Sequence, residues 1–265
     1  MVLLFAAINL IGAADAPFSA DDEFSTVSAI CGNVTQGTAI RGISGTDETV
    51  NGYISENGYT FYEVLLSSSF LEHGALRHMI VIGGHYLEDG KIRDTEAERT
   101  EVSFGLLEFQ RKEWKIIAKA PDFIETGFNG NNPGSALREI GESRHGIELT
   151  QDQWFQGSSL TIVSLYEPVR SNFKELFSVM VAADDCALKK GCFKYEGKLV
   201  YLSDSNRSPK DVALHLKGTY RNTAGRVVPV PSSPIVLSFK EGFYGPLDAS
   251  AAGASLWRAV TQSPW

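Results

Sequence analysis

The sequence predicts a mainly β protein, an antiparallel two-sheet architecture of the sandwich type with few short helices. Three observations support this prediction. Period-two alternation of apolar and polar residues recurs from about residue 40 onward. Short charged turns separate many of the alternating runs. Helical periodicity is scarce, and only two segments of the chain show it.

The first strands are predicted from composition. Residues 59–66 are rich in aromatic and β-branched side chains, which fit a pleated surface. Residues 78–83 form a short apolar run typical of a buried strand. The dipeptide Asp89-Gly90 then provides a strong turn signal.

The clearest hairpin joins residues 102–110 to residues 114–119 through a charged turn at 111–113. Apolar and small or polar residues alternate on both arms, so each set occupies one face. Residues 193–201, with a turn at 196–198, and residues 235–244, with a turn at 240–242, predict two further hairpins. The three hairpins have no fixed spacing, which argues against a propeller or a solenoid.

Further strands are expected at residues 160–166, 212–216 and 226–230, the last confined to a sheet edge by Pro229. Residues 173–181 carry apolar side chains at helical spacing, but the same residues fit a strand, and both interpretations stay open. Residues 250–260 predict a short C-terminal helix, which Gly253 weakens.

Two glycine-rich stretches, residues 32–52 and 127–134 running on to 146, interrupt the strand pattern. The second stretch is the better linker candidate. It either separates two β subunits or forms one long loop of a single β-rich domain spanning residues 15–265.

The N-terminus resembles a signal peptide. An apolar run from Val2 to about Ile11 is too short to span a bilayer but fits the hydrophobic core of a signal peptide. Small residues follow, and Gly12 with Ala14 predicts cleavage before Asp15. No basic residue precedes the run, which an upstream start would explain. We therefore predict an exported protein with a signal peptide at 1–14; the alternative is a buried first strand or short helix.

Two of the three cysteines, Cys186 and Cys192, flank five residues. Thioredoxin-type redox motifs have two intervening residues, and structural zinc needs four ligands. The spacing therefore favours a local disulfide, with free thiols as the alternative, and Cys31 is read as a small core residue or a lone thiol. Disulfides persist in oxidising compartments, so this pairing and the export prediction support each other.

Charge excludes one class of partner. The formal net charge of −8 and the pI near 5.2 argue against a nucleic-acid surface, which needs clustered Lys and Arg. No other stretch is long and apolar enough to predict an integral membrane segment once the signal peptide is removed.

Catalytic motifs are not evident, and we predict neither a metal site nor a cofactor. His73, His78 and His85 lie at odd spacings, so neighbours face opposite sides of a strand unless a bulge forms at Gly83-Gly84. No zinc-protease motif or nucleophile elbow occurs. The sequence does not decide whether the protein is an enzyme, and the lack of motifs favours a protein without catalytic activity. The alternative is a secreted hydrolase that uses carboxylates and His78, His85 or His145.

A binding role is favoured. The pair Trp154-Phe155, flanked by glutamines, has the amphipathic character of an interface, and Asn129 and Asn131 lie in the preceding glycine-rich loop. The competing interpretation is that the pair begins the strand at 160–166, with one ring packed inward. Together with the loop at 184–192, these residues predict an exported binding module for a protein or glycan.

Overall fold

The computed structural model describes residues 18–43, 46–93, 99–126, 131–155, 157–186, 192–203, 208–247 and 251–262. The helices are α1 (Ala20–Cys31) and α2 (Ala251–Thr261). The strands are β1 (Val34–Ile43), β2 (Thr46–Ser55), β3 (Thr60–Glu72), β4 (Ala75–Glu88), β5 (Lys91–Ile92), β6 (Thr100–Gln110), β7 (Glu113–Thr126), β8 (Gly134–Gly141), β9 (Arg144–Phe155), β10 (Ser158–Val169), β11 (Asn172–Asp184), β12 (Lys194–Tyr201), β13 (Val212–Arg221), β14 (Val227–Pro229), β15 (Ile235–Lys240) and β16 (Phe243–Pro246).

The first sheet has the strand order β3-β2-β1-β5-β4-β6-β7, and β3 also pairs with β4. The pairings β1–β2, β2–β3, β3–β4, β4–β5 and β5–β1 therefore form a closed ring. One buried side chain from each strand of the ring contributes to a shared cluster: Ala39, Val50, Phe61, Leu87 and Ile92. The ring thus has a small apolar core of its own.

The second sheet is an antiparallel meander from β8 to β13, extended by β15 and β16, with β14 paired to β13. The predicted fold class, mainly β with antiparallel sheets and few short helices, is confirmed. The single-residue pairing between β1 and β5 is parallel and was not foreseen.

The two sheets contact one another through a shared apolar cluster. Phe104 of the first sheet lies 5.2 Å, between ring centroids, from both Tyr166 and Phe173 of the second. Met79 and Leu149, one from each sheet, are fully buried in the same cluster. Burial of this apolar surface holds the sheets together.

Helix α1 packs on the other face of the first sheet, where Val27 and Ile30 are buried. Ser19 caps it through a reciprocal pair of bonds with Asp22. Helix α2, close to the predicted bounds, buries Leu256 and Val260 against the second sheet. Neither described helix has the length and apolar content needed to cross a bilayer.

The hairpins predicted at 102–119 and 235–244 are confirmed, as is the strand interpretation of 173–181. Two expectations are wrong. The glycine-rich stretch 32–52 does not interrupt the strands, because it forms most of the β1–β2 hairpin. Residues 193–201 do not form a hairpin, because β12 runs straight through Gly197. A Cβ at Gly197 would lie 2.0 Å from the His215 carbonyl oxygen, so this glycine permits close strand approach rather than a turn.

Candidate binding cleft

A cleft opens in the first sheet where β2 and β3 diverge. These strands pair only at Tyr53–Tyr62 and Ile54–Phe61. At the same residues β2 also pairs with β1, and β3 with β4, so the β2–β3 contact uses the remaining edge of each strand. Beyond the contact the two strands separate. Within the described ranges, no strand pairs with the second edge of β2 over residues 46–52.

Two local features cause the divergence. The register of β3 against β4 shifts between Val64 and Leu66, so Leu65 is an extra residue that bends the strand. The Ser135 hydroxyl of β8 donates to the Leu65 carbonyl at 2.8 Å, which ties this part of β3 to the second sheet. At the apex, a Cβ on Gly52 would lie 2.3 Å from the Tyr62 carbonyl oxygen, so only glycine allows the strands to meet there.

The cleft has a volume of about 850 Å³, within the usual range for ligand sites. Its walls come from α1, β1, β2 and β3, and they combine polar side chains with an apolar stretch of β3. The lining residues are Ala20, Glu23, Gln36, Gly37, Thr38, Asn51, Gly52, Tyr53, Glu63, Val64, Leu65, Leu66 and Ser67.

Glu23 supplies the uncompensated charge of the cleft. The Tyr53 hydroxyl donates to Glu23 Oε1 at 2.7 Å. Burial, together with this bond and the carboxylate charge, raises the pKa of Tyr53, so the hydroxyl stays protonated as a donor. No basic side chain in the described part of the chain pairs with Glu23.

Glu63, in contrast, is neutralised by its neighbours. Its Oε2 accepts from Arg41 Nη2 at 2.5 Å and from Asn132 Nδ2 at 2.6 Å. His85, only 2% exposed, lies 3.5 Å from the same Arg41 nitrogen. Burial first, and then the Arg41 charge, lower the pKa of His85 to about 4, so this histidine is neutral near pH 7.

Ser67 lies at one end of the cleft and contacts His78. Its hydroxyl is 3.0 Å from His78 Nε2, and the Ser69 hydroxyl is 2.8 Å from Nδ1. Phe18 stacks on the imidazole at 3.7 Å between centroids. Burial lowers the pKa of His78 to about 4 against the opposing effect of the Asp22 charge, and Nδ1 faces the Ser69 hydroxyl rather than a carboxylate. The arrangement of serine hydrolases, in which a carboxylate accepts from Nδ1 of the catalytic histidine, is therefore not formed at His78.

The sequence-predicted binding residues lie elsewhere. Trp154 is 66% exposed near the end of β9, and Phe155 ends the same strand, so the pair does not begin the strand at 160–166. Asn131 is exposed, and its carbonyl accepts from the Thr100 hydroxyl at 3.1 Å. Asn129 lies outside the described residues. No hydrogen bond or ring contact among the described residues joins Trp154 to Asn131.

The register instead aligns Trp154 with the disulfide loop. Trp154 pairs with Ser159, Ser159 with Asp184, and Asp184 with Lys194, so these four side chains share one face of the second sheet. Asp184 and Lys194 form an ion pair at 2.6 Å. We call these four residues the tryptophan row. It shares no residue with the cleft.

The predicted disulfide between Cys186 and Cys192 is confirmed, with 4.9 Å between the Cα atoms. It closes the connection between β11 and β12, which pair over only three residues. Cys31, the last residue of α1, is free, and burial raises the pKa of its thiol to about 12. Such a thiol is unreactive at neutral pH.

The histidines do not converge. The β3–β4 register is regular through Gly83 and Gly84, so the bulge considered there does not form and His78 and His85 face opposite sides of β4. His145 lies on β9, where its backbone N–H donates to Glu72 Oε1 at 3.1 Å. The described residues contain no group of three or more His, Cys, Asp and Glu side chains placed to hold a metal ion.

Sequence reasoning missed the cleft because no single segment encodes it. The usable signals were Gly37 and Gly52, which pair directly across β1 and β2. These glycines were interpreted as an interruption of the strands. Comparison with protein-family models, curated proteins and solved structures finds no match to this chain.

Proposed function

We propose that this protein is an exported, non-catalytic binding module whose ligand occupies the cleft between β2 and β3. The observation that carries the proposal is the 850 Å³ cavity with a mixed polar and apolar lining, built where two strands leave their edges unpaired. Ligand sites commonly combine apolar walls with a few placed polar groups.

Binding is favoured over catalysis by the electrostatics of the cleft. Glu63 is held by Arg41 and Asn132, so it is not placed as a free acid or base. Glu23 is the other carboxylate of the lining, and beside its bond from Tyr53 it offers oxygen acceptors to a cationic or hydroxyl group of a ligand.

Export is proposed from the signal-peptide pattern at 1–14 and is supported by the Cys186–Cys192 disulfide. Intact mass measurement of the protein recovered outside the cytoplasm, with and without reductant and alkylation, tests it. We expect an N-terminus at Asp15 and two cysteines that are alkylated only after reduction. Recovery of Met1, or alkylation of both cysteines without reductant, would contradict export.

The ligand site is tested by blocking the cleft. Thr38 is exposed and lines the cleft, so Thr38→Trp places a bulky ring in it. Thr35 is exposed on the same strand but is not a lining residue, so Thr35→Trp is the matched control. A random peptide library and a glycan array are both probed. We expect at least one class of ligand to bind the parent and the control but not Thr38→Trp; equal binding to all three proteins would contradict the proposal.

A hydrolase using Ser67 and His78 is the second candidate, because their 3.0 Å contact lies at the cleft. A fluorophosphonate probe decides between the two functions. If Ser67 were an activated nucleophile, the probe would label the parent and not Ser67→Ala. We expect no labelling above that of Ser67→Ala, because burial makes the imidazole a weak base and its Nδ1 contacts a serine rather than a carboxylate.

A further inference from the structure

We propose that the occupant of the cleft is an extended, basic polypeptide segment that adds as a strand to the free edge of β2. This inference rests on the proposed function of the cleft and names its ligand class. Strand addition to an open sheet edge is an established mode of peptide recognition, in which main-chain hydrogen bonds supply affinity.

The free edge belongs to a regular strand. Strands β1 and β2 pair over ten consecutive residues with no register shift, so β2 is a regular strand. A regular strand directs its backbone N–H and C=O groups alternately to its two sides. On the side away from β1, the groups over residues 46–52 have no strand partner within the described ranges. Unpaired edges of this kind template another strand.

The side chains along the free edge of β2 are largely exposed, as expected for an accessible strand edge. Asp47, Glu48, Thr49 and Asn51 are all exposed, and Asn51 lines the cleft. At the usual rise per residue, residues 46–52 span about 20 Å, enough to pair with a segment of about six residues. The length of free edge therefore matches a short linear segment.

Strand β2 is a better template than β3. The extra residue Leu65 breaks the regular alternation of β3 beside the cleft. The Leu65 carbonyl also already accepts from Ser135, so part of that edge is engaged. An added strand would therefore take its backbone bonds from β2 and place side chains against the apolar residues of β3.

Charge complementarity selects a basic segment. Glu23 has no basic partner among the described residues, and Glu48 pairs in register with Arg41, whose guanidinium bonds Glu63 instead. Within the described ranges, the one ion pair of Asp47 is an exposed contact with Lys91 at 3.5 Å. Lys or Arg side chains on the incoming strand would approach these carboxylates, with an attraction that salt weakens.

The test begins with a random dodecapeptide library panned against the purified protein with its disulfide intact. Peptides bound by the parent and by Thr35→Trp, but not by Thr38→Trp, are synthesised. Each backbone nitrogen of one such peptide is then methylated in turn. Removing a backbone donor that bonds β2 should weaken binding about tenfold, because one hydrogen bond is lost. We expect the losses at alternate positions, since only every second N–H faces β2.

A second arm tests the charge. Glu23→Gln keeps an oxygen that accepts from Tyr53 and removes the negative charge. Glu241→Gln, at an exposed turn of the second sheet, is the matched control. We expect the selected peptides to be enriched in Lys and Arg. Their affinity should fall several-fold for Glu23→Gln, remain unchanged for Glu241→Gln, and decrease with added salt in the parent.

The outcomes separate this inference from the proposed function. Cleft-dependent peptides without alternation in the methylation series would overturn strand addition and leave the cleft as a ligand site. Glycans that bind in a cleft-dependent way, with no peptide doing so, would overturn the polypeptide ligand alone. Peptides without basic enrichment would overturn the charge selection. If no ligand of either class depends on the cleft, both the inference and the proposed function fail.

Discussion

The two sheets close their edges in different ways. In the second sheet, β8 to β13 follow one another in space as they do along the chain. In the first sheet, β5 pairs in parallel with β1 and closes a ring, while β3 pairs briefly with β2 before leaving it. The second sheet thus keeps its strands in sequence order, whereas in the first sheet the consecutive strands β2 and β3 separate after two residue pairs and leave a free edge inside the sheet. That free edge is the wall of the proposed binding site.

The largest expected effect is a loss of stability, measured by making the same glycine-to-alanine substitution once in each sheet. Gly52→Ala would place a methyl group 2.3 Å from the Tyr62 carbonyl, so β2 and β3 must separate at the apex. We expect the free energy of unfolding to fall by about 3 kcal/mol. Gly134→Ala in β8 meets its nearest atom at 3.7 Å, and we expect a change within about 1 kcal/mol. Urea unfolding measures both, and similar losses would contradict the tight apex.

The second effect is acid sensitivity located in the first sheet. His78 and His85 on β4 have pKa values lowered to about 4, below the ordinary 6.5. Between these pH values the unfolded chain binds more protons, so the stabilisation is complete above about pH 6.5 and is lost as the pH falls towards 4. Each histidine contributes a slope of at most about 1.4 kcal/mol per pH unit.

The variant His85→Gln tests whether the buried histidines cause stability to fall as the pH falls. Urea unfolding at about pH 7 and about pH 4.5 should show a smaller loss of stability for the variant than for the parent. His215→Gln, at an exposed position of the second sheet, should keep the parental pH dependence. A parent whose stability is unchanged between the two pH values would contradict the burial of neutral histidines.

The third effect concerns the second sheet alone. Replacing Cys186 and Cys192 together by serine removes a covalent closure of a short loop, for which the chain-entropy model gives about 2 kcal/mol of lost stability. The cleft lies in the first sheet, so the affinity of the double serine variant for a selected peptide should remain within about twofold of the parental affinity. A parallel loss of peptide affinity would show that the two regions are coupled.

The smallest effect concerns the helix that lines the cleft. Ser19→Ala removes the N-cap of α1 and should cost about 1 kcal/mol of unfolding free energy. Ser25→Ala, at an exposed position within the same helix, should be neutral or slightly stabilising. Thermal unfolding of both variants measures the difference, and equal melting temperatures would contradict the cap.

The sequence predicted the elements that local pattern determines. The 102–119 hairpin follows from alternation and a charged turn, and the disulfide was predicted from the cysteine spacing together with the expectation of export. The same reasoning failed at Gly197, because a glycine beside charged residues resembles a turn. Its actual role, close approach to the His215 carbonyl, depends on a strand that lies far along the chain.

The cleft could not be predicted because its causes are long-range. The bend at Leu65 depends on pairing with β4, and the bond from Ser135 comes from the other sheet. Helix α1 escaped prediction for a related reason: Val27 and Ile30 are buried by the sheet beneath them, and no long apolar stripe marks the helix in the sequence. Trp154, predicted as a binding residue, lies in the tryptophan row and not in the cleft.

Residue-resolved hydrogen exchange of β2 tests the free edge, on which the proposed binding mode depends. In the free protein, amides over residues 46–52 should alternate between slow exchange, where they bond β1, and fast exchange, where they face the cleft. A selected peptide should slow the fast set and leave the β9–β11 amides unchanged. Uniformly slow exchange along β2 in the free protein would show that the edge is already covered and would contradict the proposal.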